Sequence, residues 1–140
     1  MGNTQIKGRR VVVKYPARAL FELFSDLTNF TKNLPQDMLK GSEVTATRDT
    51  LIAKVQGFEI GLVVAERVEY SLIRYDQYGK NIFPYTFFVR LDSKSEAETE
   101  FMIEMDTELS GMFKTMVGGK LQELVDKVTD QIEMAFLRNI

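Results

Sequence analysis

Glutamate and tyrosine are the side chains on which a reaction could be built in this chain, because two commoner options are missing. The sequence holds no His and no Cys. Without His there is no ordinary general base at neutral pH, and the commonest metal ligand is lost. Without Cys there is no thiolate nucleophile, thiolate metal site or disulfide. The strongest remaining candidate is Glu66, on an alternating run whose same side carries Ile60 and Leu62. Pairing Val64 with Tyr75 would add Ile73 and Gln77 to that side. A carboxylate buried in such company is a general-base candidate, and the Tyr75 hydroxyl could orient a ligand oxygen beside it. The position of Glu66 near a strand end argues for water instead. A second polar knot, Ser25-Asp26 with Asn29, interrupts the greasy stretch from Tyr15 to Pro35. Ser and Asp are strong helix caps, and capping is the task assigned to them here. Asn29-Phe30-Thr31 has the spacing of a glycosylation acceptor, but without a secretory signal the match is read as coincidence.

The 140 residues, 44% hydrophobic and 27% charged, suit one domain over 1–140 with a substantial core. A net charge of −2 gives no pull toward nucleic acid. The one basic cluster, Lys7 to Lys14, is interleaved with valines and reads as a strand face. No apolar run reaches the roughly 18 residues needed to span a bilayer, and the N-terminal "MGNTQIKGRR" resembles neither a signal peptide nor a myristoylation site. The expected address is cytoplasmic, with no stable membrane insertion.

These residues must be positioned by a recognisable series of elements. Lys7 to Lys14 alternates as a strand. Pro16 then suits a helix's first turn, and Ala17, Leu20, Phe21, Phe24 and Leu27 recur at helical spacing. A second short helix passes through Asn29 and Phe30 and ends before Pro35. From Ser42 to Met105 the period becomes two, predicting strands at 43–48, 50–56, 58–67, 70–78, 83–92 and 96–105. Setting Asp92 opposite Glu96 in the last hairpin pairs Arg90 with Glu98, Val89 with Thr99, Phe87 with Phe101 and Tyr85 with Ile103. Glu98, Glu100 and Glu104 then lie on the watery face. A sheet greasy on one face needs a cover. It comes from Met112 to Asn139, where Phe113, Val117, Leu121, Leu124, Val128, Ile132 and Ala135 recur every three or four residues. Gly118-Gly119 should break this pattern, leaving a main helix from Lys120 of about 30 Å.

The stretch "P-A-x-x-L-F-E-L-F-S-D-L-x-N-F" after the first strand, the strands from Ser42 to Met105 without a helix, and the closing amphipathic helix together resemble the START/Bet v 1-like (SRPBCC, polyketide cyclase-like) superfamily. The resemblance covers essentially the whole chain and implies an α+β helix-grip fold. In that fold a seven-stranded curved antiparallel sheet wraps around a long C-terminal helix, with two short helices after strand 1. It also implies a mostly apolar pocket between sheet and helix. Carried onto this sequence, the pocket-lining, ligand-binding residues are Val13, Phe24, Val55, Leu62, Val64, Tyr75, Tyr85, Phe87, Val89, Phe101, Val117, Leu121, Leu124 and Val128. Val11, Leu51, Ala53, Ile60 and Ile103 also face inward. The glycine-rich loop of the plant branch has no counterpart here.

The expected function is therefore binding or transport of a small hydrophobic ligand, lipid-like or polycyclic, with no cofactor and no metal. The alternatives are a cyclase or aromatase-type enzyme acting in the same cavity, and a protein-binding module with a filled core and an outer face that includes Phe88. Enzymatic arrangements of the superfamily cannot be placed residue by residue on a chain lacking His, Cys and Trp.

Overall fold

The computed structural model describes residues 4–32, 42–55, 58–79, 84–109 and 111–138. In chain order these form β1 (Thr4–Lys7), β2 (Val11–Val13), α1 (Ala17–Ser25), α2 (Asn29–Lys32), β3 (Ser42–Ala46), β4 (Thr50–Val55), β5 (Phe58–Val68), β6 (Leu72–Gln77), β7 (Tyr85–Ser95), β8 (Glu98–Thr107) and α3 (Gly111–Arg138). The sheet runs β1-β8-β7-β6-β5-β4-β3, with β2 also pairing β8, and every pairing is antiparallel. This is the helix-grip architecture: a curved antiparallel sheet, two short helices near its start and one long helix at the end.

The first strand expected from Lys7 to Lys14 is two strands. Lys7 faces Glu104 and Val11 faces Phe101, so residues 8, 9 and 10 stand against only Met102 and Ile103. The extra residue makes a bulge. Gly8 donates its N–H to the Ile103 carbonyl at 2.8 Å. A Cβ there would lie 2.9 Å from Thr129 Oγ1 and 3.1 Å from Val125 Cγ1, so only glycine lets the backbone approach α3 this closely. Beyond the bulge the alternation resumes, with Val11 and Val13 buried and Val12 exposed.

The β7–β8 hairpin differs from its expected register by four residues: Val89 faces Ile103 rather than Thr99, and Arg90 faces Met102 rather than Glu98. The reversal lies at Glu96-Ala97, where Ser95 Oγ accepts the Ala97 N–H at 3.2 Å, with a bulge between Ser93 and Ser95. Asp92 to Ser95, read as the turn, instead extends the ladder. A shift of four is even, so each side chain keeps its face while changing its partner. Arg90 consequently pairs with Glu104 instead of Glu98, and the Glu104 side chain is 4% exposed rather than in water. The Arg90 guanidinium also lies 5.4 Å from the centre of the Phe88 ring.

Helix α3 runs unbroken through Gly118-Gly119, contrary to the expected break. Two glycines cost about 1 kcal/mol each against alanine. That is too little to stop a helix whose later turns are packed. Its deepest residues are Leu121, Val125, Thr129 and Ile132, which packs the helix on β1, β2 and β8. Arg9 adds an ion pair to Asp130 at 2.8 Å, and Gln122 donates to the Lys7 carbonyl at 3.0 Å. On the same side Phe24, Phe101 and Phe136 form a chain of rings, with centroids 5.7 and 6.5 Å apart. Helix α1 packs on β6, β7 and β8, and α2 on β3.

Candidate functional site

Between the inner face of β3–β8, the α1–α2 corner and α3 lies a cavity of about 220 Å³. The corner contributes Phe24, Leu27 and Phe30. Strands β3, β4 and β5 contribute Val44, Leu51, Ala53, Ile60 and Leu62. Tyr75, Phe87, Val89 and Ile103 come from β6, β7 and β8, and α3 supplies Leu124, Val125, Lys127, Val128 and Ile132. One end is buried, formed by Phe24, Leu27, Tyr75, Val89, Ile103, Val125 and Ile132. The side toward β3–β5 is half-buried, and Lys127 is exposed, which places the mouth there.

The corner is fixed by the polar knot. Asp26 Oδ1 accepts the Thr28 N–H at 3.0 Å and the Thr28 hydroxyl at 2.5 Å, while Asn29 Nδ2 donates to the Leu23 carbonyl at 3.2 Å. For Asp26 and Asn29 this is local backbone capping, the task read for the knot, whereas among the described residues the buried Ser25 hydroxyl has no hydrogen-bond partner and caps nothing. The Leu27 N–H reaches the Arg48 carbonyl at 2.9 Å, and Arg67 bridges the Ser25 carbonyl and Asp49 at 2.8 and 2.7 Å. These bonds tie the β3–β4 turn and β5 to the α1–α2 corner.

Seven of the expected ligand-binding residues stand in the cavity wall: Phe24, Leu62, Tyr75, Phe87, Val89, Leu124 and Val128. Val13, Phe101 and Leu121 are buried in the packed core instead, because β2, β8 and α3 close directly on one another there. Val64 packs at the edge of that core. Tyr85 is spent on β5, its hydroxyl donating to the Gly61 carbonyl and accepting the Gly61 N–H, each at 2.8 Å. The side chains of Val55 and Val117 lie outside the described residues. Val125, Ile132, Leu27, Phe30, Val44 and Lys127 were not among the expected residues. Val125 sits one position beyond Leu124 in the apolar pattern and marks a slightly rotated helix face. Lys127 carried no signal in sequence, since charged residues occur on every exposed helix.

The acid–base candidates do not meet in the cavity. Val64 does face Tyr75 as expected, but a bulge between Val64 and Glu66 turns Glu66 outward. There it is half-exposed and lies 3.6 Å from Arg74. The Tyr75 hydroxyl donates to the Phe24 carbonyl at 2.5 Å. Burial pushes this phenol well above its ordinary value, against a weaker opposing field from Arg67. It is a structural donor, already engaged. Among the described residues the wall therefore holds one charge, Lys127, and no carboxylate. Among the described residues, too, no helix is long and apolar enough to cross a membrane.

Solved structures of similar shape are numerous. A START superfamily protein from Mycobacterium smegmatis superposes with a TM-score of 0.66 at 16% identity, over 98% of this chain and 99% of that one. Norcoclaurine synthase from Thalictrum flavum, in complex with dopamine and hydroxybenzaldehyde, gives 0.68 at 12% identity, over 99% and 89%. An aromatase/cyclase from a Streptomyces species gives 0.63 at 14% identity, over 97% and 92%. No protein-family model matches the chain, and no curated protein matches it. The fold is START/Bet v 1-like, of the SRPBCC kind. At these identities the likeness is one of fold, which leaves function to the site.

Proposed function

We propose that this protein binds and carries a small hydrophobic ligand in the cavity between the sheet and α3. The observation that carries the reading is an apolar cavity whose buried hydroxyl, that of Tyr75, is already committed to the backbone. Left empty, about 220 Å³ of apolar space would cost on the order of 5 kcal/mol at roughly 24 cal/mol per Å³. That is a large share of a domain's stability, and an occupant would relieve it. The outward turn of Glu66 favours carriage over the cyclase-type chemistry of an enzyme. Among the described residues, the space itself favours carriage over a protein-binding module with a filled core.

Val89 tests the reading, since it is 4% exposed and stands in the cavity wall. Val89→Trp should occupy the space a ligand would take. The expected result is loss of uptake of environment-sensitive fluorescent fatty acids and aromatic dyes, with thermal stability close to wild type. Insertion into an already filled core would instead cost about 1–3 kcal/mol. Strong destabilisation together with no dye uptake by the wild-type protein would overturn carriage.

A further inference from the structure

We propose that the occupant is a single-chain amphiphile with an anionic head, its tail in the cavity and its head on Lys127 at the mouth. The inference rests on the carriage reading and adds a ligand class to it. Lys127 is the charged residue of the wall and is exposed, whereas Phe24, Tyr75 and Ile132 at the opposite end are buried. Among the described residues it makes no hydrogen bond or ion pair. Of the acidic residues nearest it along the helix, Asp130 pairs with Arg9 at 2.8 Å and Asp126 accepts from Gln122 at 3.1 Å, while the exposed Glu123, one turn before, makes no ion pair with it. The Lys127 ammonium thus stands at the rim of an apolar space without a direct ion pair among the described residues.

The interior complements only the other end of such a ligand. Tyr75 donates its hydroxyl proton to Phe24, so a polar group carried deep into the cavity would lack that donor and lose its water. A head left at the rim keeps its hydration and gains a cation. The volume of about 220 Å³ lies below the roughly 300–1,000 Å³ of sites for drug-sized molecules, which suits one medium-length chain better than a two-chain lipid.

The test is calorimetric titration with decanoate, decanol and decyltrimethylammonium, below their micelle concentrations, at pH 8 and low salt. Wild-type protein should bind decanoate about two- to fivefold more tightly than decanol, the range of an exposed ion pair. It should bind decyltrimethylammonium most weakly, and raising the salt should shrink the preference for the anion. Lys127→Met should abolish the preference for decanoate over decanol, Lys127→Arg should keep it, and Lys127→Glu should reverse the order of the two ions. Equal binding of decanoate and decanol by wild type, or equal weakening of both by Lys127→Met, overturns the assignment of the head while sparing carriage. Failure of all three probes, together with no dye uptake, overturns both.

Discussion

The two halves of the sheet are built from similar alternating strands and end in different states. In the half made by β1, β2, β7 and β8, the inward residues Ile6, Val11, Val13, Phe101 and Met105 are no more than 5% exposed and stand outside the cavity wall, which this half borders at Phe87, Val89 and Ile103. In the half made by β3, β4 and β5, Val44, Leu51, Ala53, Ile60 and Leu62 are half-buried and look into the cavity. Polarity does not account for the contrast, since both sets are apolar. What differs is the cover: α3 packs on β1, β2 and β8, while among the described residues the opposite strands meet the α1–α2 corner through α2 on β3 and the hydrogen bonds of Leu27 and Arg67. A helix is narrower than a curved sheet. It can seal one flank only by leaving space beneath the other.

The sharpest way to break this comparison is to truncate one inward side chain in each half. Phe101→Ala removes a ring with no exposure that touches Phe24 and Phe136, and should cost about 3–5 kcal/mol in urea denaturation. Leu51→Ala, which enlarges a space already present, should cost about 1 kcal/mol or less. Equal losses would mean that the β3–β5 wing is as tightly closed as its counterpart.

Arg90→Ala probes the outer surface of the packed half. An exposed Arg90–Glu98 pair would be worth about 0.2–1 kcal/mol. The actual partner, Glu104, is 4% exposed, so the variant strands a buried carboxylate and should lose about 2–3 kcal/mol. A change under 0.5 kcal/mol in the same denaturation assay would show that Glu104 finds water. The smallest effect belongs to α3. A Cβ at Gly118 or Gly119 would meet nothing within 4 Å, so each change to alanine should stabilise by about 0.5–1 kcal/mol in thermal melts. Destabilisation would mean that the helix must bend there to span the two halves.

Much of the architecture was legible because period-two and period-3.6 patterns state which face of an element turns inward. The element order, the inward sides of β4 and β7, and the Val64–Tyr75 pairing all follow from that signal. Register and bulges do not. Nothing in Asp92-Ser93-Lys94-Ser95 says that the ladder continues through it, and a shift of four left the face pattern intact while exchanging Glu98 for Glu104. Likewise Glu66 alternates correctly in sequence, and only the bulge after Val64 turns it out. For the site, the pocket implied by the resemblance, laid on the inward faces that alternation and helical spacing define, yielded the wall residues Leu62, Phe87, Val89 and Leu124 but also Val13, Phe101 and Leu121. Inward-facing is one property, and bordering a space is another. The second depends on how closely α3 approaches each strand.

The bulge at Gly8 also has a meaning in time. Strands β1 and β2 both pair with β8, and Gly8 rests against Thr129 and Ile103, so the partners of the first strands come from the far end of the sequence. The wing, by contrast, is a succession of neighbours, β3 with β4, β4 with β5 and β5 with β6. A chain emerging from the ribosome can zip those neighbours together while its opening strands still wait for β8 to be made. Long-range loop closure is thus concentrated in the half that ends up best sealed. During synthesis β1 and the valines of β2 stay unpaired until β8 is made, exposed meanwhile to aggregation and to chaperones.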